Sequence, residues 1–110
     1  LKALAVTTQK RSSAMPEVPT VAESGADFGL SRFDIHTWFG LFGPAKLPAQ
    51  ITARLNKAFV DALNAGDVKA RLATLMAETA PSTPEAFAQF VRAEHAKYES
   101  IVKASGARAD

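Results

Sequence analysis

From Ile51 onward the apolar residues recur at three- and four-residue steps, and this period constrains the fold more than any other feature of the chain. Ile51, Leu55, Ala58, Phe59, Ala62 and Leu63 fall on one face of a helix spanning 49–64, which Gly66 stops. Asp67 caps a second helix over 67–76, whose apolar positions are Val68, Leu72 and Leu75. Thr83-Pro84-Glu85 combines a capping hydroxyl, a proline at the first helical position and an acid where the helix dipole favours one, and so starts a third helix over 83–104. Phe87, Phe90, Val91, Tyr98, Ile101 and Val102 give that helix its apolar side. Each of the three helices presents one apolar face, and each face needs a surface to cover.

The first 48 residues offer little to cover. Residues 1–7 are nearly continuously apolar, as in a strand buried on both faces. Pro16 and Pro19 keep helix out of the polar stretch that follows. Thr20 and Glu23 have capping-box spacing and open a short helix at 20–24, which Gly25 ends. Over 35–42, Ile35, Thr37, Phe39 and Leu41 alternate with His36, Trp38, Gly40 and Phe42, which predicts a second strand closed by Gly43-Pro44. The layout is α/β, and two strands make a poor sheet. The expectation is that further strands come from outside these residues, and Leu1 reads as a strand already under way in a longer polypeptide.

Charge excludes several function classes. Thirteen Lys and Arg face eleven Asp and Glu among 110 residues, a formal net charge of +2. They are interleaved, with five basic and four acidic groups in 1–48 and eight and seven in 49–110, so no basic block forms a footprint for nucleic acid or an anionic membrane. The uncharged stretch Ile35–Ala45 is far short of the ~20 apolar residues that a membrane span needs. With no cysteine there is no disulfide framework, thiolate nucleophile or cysteine-based metal site.

The candidate chemistry is sparse. Asp34 and His36 share one face of an extended segment, the raw material of a general base, but no nucleophile in a strained turn accompanies them. His95, among Arg92, Glu94, Lys97 and Glu99, fits a solvated helix face, and neither histidine has a second at metal-ligand spacing. No glycine pattern matches a phosphate cradle, so no cofactor is expected. Lys10-Arg11-Ser12-Ser13 follows the first strand, where open α/β sheets hold ligands, and its cations and hydroxyls suit an anion as well as they suit an exposed polar loop.

Taken in order, LKALAVTTQKRSSAMPEVPTVAESG at 1–25, TWFGLFGPAKLP at 37–48, ITARLNKAFVDAL at 51–63, DVKARLATLMAE at 67–78 and TPEAFAQFVRAEHAKYESIVKASG at 83–106 resemble the C-terminal part of the Bug-type periplasmic solute receptors of tripartite tricarboxylate transporters. The most specific parts are the spacing of Arg11, Pro16, Val18, Pro19, Thr20, Glu23 and Gly25, and the Trp38-Phe39-Gly40 group with Pro44 and Pro48 behind it. The resemblance implies a portion of a type II periplasmic binding-protein, or Venus-flytrap, fold. Residues 1–33 would end the second lobe, 34–43 cross the hinge as a strand, and 44–110 complete the first lobe with helices.

It also implies a periplasmic, non-enzymatic receptor that binds a small carboxylate solute and delivers it to membrane transporter subunits, without inserting into the membrane itself. Thr7 and Thr8 at the end of the first strand, with Thr37 and Trp38 at the hinge, are the expected ligand-binding residues. Hydroxyls and main-chain N–H groups would hold the carboxylate there, while the remaining contacts would come from sequence before Leu1. The alternative is a stand-alone helical interaction or dimerisation module without ligand binding.

Overall fold

The computed structural model describes residues 1–108, and they divide into two compact units, Leu1–Gly43 and the residues from Pro44 onward. In the first unit, Thr20 sits at the start of helix α1 (Val21–Ser24) with extended backbone, φ −82° and ψ 160°. Its hydroxyl accepts from the Glu23 N–H at 3.0 Å, and its own N–H donates to Glu23 Oε2 at 2.8 Å. Both halves of the capping box are therefore closed. Val6 donates to the Pro19 carbonyl at 2.9 Å and accepts from the Val21 N–H at 2.9 Å, a parallel bridge that seats the first segment against the cap. Val18, Thr20 and Ala22 are buried around this joint. After α1 the chain turns through a short 3₁₀ helix, Ala26–Phe28. Gly25 is required at the turn, because a Cβ there would lie 2.9 Å from the Leu30 side chain and from the Val21 carbonyl.

The second unit is helical: α2 (Ala49–Asn64), α3 (Gly66–Thr74) and α4 (Pro84–Ser105). Thr83 caps α4 by accepting from the Ala86 N–H at 3.2 Å, with Pro84 in the first turn, and Gly106 ends it in the left-handed region at φ 67°. Thus α4 starts and stops where caps were expected. For α3 the cap differs: Ala65 occupies the N-cap, Gly66 is already helical, and Asp67 lies in the first turn, where the dipole still favours its charge. Helix α2 contacts both α3 and α4, and Asn56 Nδ2 donates to the Ser82 carbonyl at 2.8 Å, tying α2 to the connector before α4. Phe87 and Phe90 stack on α4 with centroids 6.3 Å apart.

The α/β expectation, with strands at 1–7 and 35–42, is overturned. About half the chain is helix, and the described residues contain no sheet and only the isolated Val6–Thr20 bridge. Apolar alternation is necessary for a strand but does not make one. A strand exists only where its N–H and C=O groups meet a second strand, and the Ile35 N–H that donates to the Thr7 carbonyl at 2.9 Å begins no ladder among the described residues. Burial is correspondingly thin: Val18 and Ala22 are the buried apolar side chains among the described residues, whereas Ile51, Leu55 and Phe59, at i, i+4 and i+8 on α2, are 46, 44 and 44% exposed.

Candidate functional site

In the first unit, residues 7–10 and 34–36 come together although 25 residues separate them. The Thr7 carbonyl accepts the Ile35 N–H, and one carboxylate oxygen, Asp34 Oδ1, accepts both the Gln9 N–H at 3.2 Å and His36 Nδ1 at 3.0 Å. The Asp34 and His36 side chains are 31 and 30% exposed. A carboxylate only accepts, so the ring proton of His36 lies on Nδ1, facing Asp34.

The four expected ligand residues are placed as follows. Thr7 is exposed, and its main-chain oxygen makes the junction with Ile35. Thr8 is half-buried, and its hydroxyl donates to the Lys10 carbonyl at 2.6 Å, closing a tight turn. Thr37 is exposed and Trp38 half-buried, two and three residues beyond Ile35. Thr7 and Thr8 thus lie beside the start of the 34–38 segment. A groove of about 490 Å³ lies elsewhere in this unit, along Lys2, Ala3, Leu4, Glu17, Val18 and Pro19.

The guanidinium of the Lys10–Ser13 loop is turned onto its own unit. Arg11 Nε donates to both Glu23 oxygens, at 2.9 and 3.2 Å, and Nη1 donates to the Pro16 carbonyl at 3.1 Å. Arg11 therefore clamps the proline-containing loop to α1. Hydrogen bonding from the Thr20 main chain, followed by that from Arg11, holds the Glu23 carboxyl below the ordinary value of 4.5. No group of three His, Asp or Glu side chains able to hold a metal ion occurs among the described residues. Nor is any described helix long and apolar enough to cross a membrane.

Gln9 and the bridging role of Asp34 were not evident from sequence. Alternation put Asp34 and His36 on one face, but nothing local points to a main-chain donor 25 residues away. The sequence places Glu94 on a solvated face, whereas it is buried to 7% exposure on α4, with Oε1 paired to Lys97 and Oε2 without a hydrogen-bond partner.

The family model for the tripartite tricarboxylate transporter family receptor matches residues 1–107, so the chain belongs to that receptor family. Among its relatives, the UPF0065 protein in the tcbD-tcbE intergenic region of Pseudomonas sp. is 35% identical over 102 residues, covering 93% of this chain and 30% of that protein. A second UPF0065 protein, in the TAR-I ttuE-ttuC' intergenic region of Agrobacterium vitis, is 35% identical over 109 residues, covering 94% of this chain and 30% of that protein. Protein BugT of Bordetella pertussis is 30% identical over 108 residues, covering 98% and 32%. The chain spans roughly three tenths of the length of these relatives.

Proposed function

We propose that the chain is the part of a periplasmic solute receptor that helps to bind a small carboxylate-bearing molecule, for delivery to the membrane subunits of a tripartite tricarboxylate transporter. The family match across 1–107 carries this reading. The Thr7–Thr8 turn, with Thr37 and Trp38, borders the solute cleft; the Thr8 hydroxyl, which donates to the Lys10 carbonyl, shapes the turn, while the Thr7 and Thr37 hydroxyls with main-chain N–H groups receive the carboxylate through charge-assisted hydrogen bonds. Receptor chemistry of this kind binds and releases without bond making, so the reading includes no catalytic residue and no cofactor. In the same reading, residues 1–33 and those from 44 onward serve different lobes, and 34–43 crosses between them and absorbs the backbone change of closure.

The test is calorimetric titration of a receptor-length polypeptide carrying this segment with acetate, succinate and citrate. Thr7→Ala, Thr8→Ala, Thr37→Ala and Trp38→Ala are each expected to weaken binding by about 1 kcal/mol or more, the net worth of a hydrogen bond to a charged group. Unchanged affinity in all four would remove them from the site. The uncovered Ile51, Leu55 and Phe59 stripe favours a second reading, a helical module that pairs through α2. Light scattering on the 110-residue chain distinguishes the two, since a dimer lost on Leu55→Lys supports pairing and a monomer opposes it.

A further inference from the structure

The chain has two methionines, and their surroundings differ sharply. Met76 follows the last turn of α3 and is 71% exposed. Its backbone lies at φ 54°, in the left-handed region where a helix more often ends on glycine. Three main-chain hydrogen bonds hold it there: the Leu75 N–H donates to the Leu72 carbonyl at 2.9 Å, the Met76 N–H to the Ala73 carbonyl at 3.0 Å, and the Ala77 N–H to the Leu72 carbonyl at 3.0 Å. The end of α3 is thus closed by main chain, without help from the thioether. With Leu75, which is 72% exposed, Met76 makes an apolar corner small enough for a folded protein to leave in water. Met15 is half-buried instead. Its N–H donates to the Ser12 carbonyl at 3.2 Å, and its carbonyl accepts from the N–H of the buried Val18 at 3.0 Å.

We propose that Met76 is an oxidation site, at which a peroxide converts the thioether to the sulfoxide while the fold is kept. A sulfur lone pair attacks one oxygen of hydrogen peroxide, the O–O bond breaks and an S–O bond forms. The proton left on the transferred oxygen passes to the departing hydroxide, which leaves as water. Sulfur loses two electrons and the peroxide gains them. A thioether has no proton to lose first, so access sets which methionine reacts. The sulfoxide is polar, and a thiol reductant working through methionine sulfoxide reductases returns it to the thioether. Because the main chain alone closes α3 and little of the Met76 side chain is buried, the added oxygen leaves the helix in place. What changes is the Leu75–Met76 corner, which turns from apolar to polar. This holds whether or not the chain serves a solute receptor.

The test treats a receptor-length polypeptide carrying this segment with dilute hydrogen peroxide, followed by trypsin digestion at timed intervals. Cleavage after Arg11, Arg32, Arg71 and Arg92 places Met15 in the peptide 12–32 and Met76 in 72–92, so mass spectrometry follows the two side by side. Met76 is expected to gain one oxygen about tenfold faster than Met15, at a rate within about fivefold of its own rate in unfolding urea. Far-ultraviolet dichroism should be unchanged once Met76 is converted, and Met76→Leu should abolish oxygen uptake in 72–92 without altering the rate at Met15. Oxidation of Met15 as fast as that of Met76, a slower rate at Met76 than this fraction of the unfolded rate, or helical signal lost in step with its conversion would each overturn the proposal.

Discussion

Glu23 is the residue on which the first unit turns. It accepts from the Thr20 main chain, inside the capping box, and from Arg11, which also holds the Pro16 carbonyl. Because its carboxyl is held below 4.5, its contribution to stability is complete above the unfolded value and is lost as pH falls through the lower folded value. A carboxyl ¹³C titration is expected to place its midpoint below 4.5 in the wild type. Arg11→Ala should raise that midpoint only part of the way, because the larger cause is the Thr20 main-chain donor and that donor remains. A wild-type midpoint at or above 4.5 would contradict this account. Thr20→Ala removes the hydroxyl that caps α1 and is expected to cost about 1 kcal/mol in denaturant unfolding of the receptor-length polypeptide.

At the scale of elements, local chemistry located the helices better than it located the segments between them. Thr83-Pro84-Glu85 and Gly106 bracket α4, and Thr20 with Glu23 starts α1, because caps are satisfied by neighbours three or four residues away. The segments at 1–7 and 35–42 have strand-like patterns, yet their structure depends on partners that no local pattern supplies. The Asp34 junction with Gln9 shares that limit, and so does Glu94, whose burial depends on what packs over α4. These differences lead to unequal costs for charge removal on the helices. Neutralising Lys57, paired with Asp61 at 2.7 Å, or Lys103, paired with Glu99 at 2.7 Å, should change stability by less than about 0.5 kcal/mol, since both pairs are exposed. Lys97→Met is expected to cost about 1–3 kcal/mol, because it strips the buried Glu94 of its ion pair and takes the ammonium from over the Tyr98 ring, 5.2 Å away. Urea unfolding of the three variants side by side checks the order.

For the whole molecule, large apolar side chains stay open in both units, Phe39 and Phe42 in the first and Leu75 and the α2 stripe in the second, and three relatives matched over nearly all of this chain run about three times its length. The 110-residue chain by itself is therefore expected to bind a hydrophobic dye strongly and to give weak near-ultraviolet dichroism from Trp38. The receptor-length polypeptide should do neither.

In the receptor proposed here, the segments at 7–10 and 34–38 border the solute cleft. Hydrogen exchange of a receptor-length polypeptide, read with and without saturating citrate or succinate, tests this. Slower exchange concentrated at 7–10 and 34–38 is the predicted result, and ligand-induced protection that leaves both segments unchanged would contradict it.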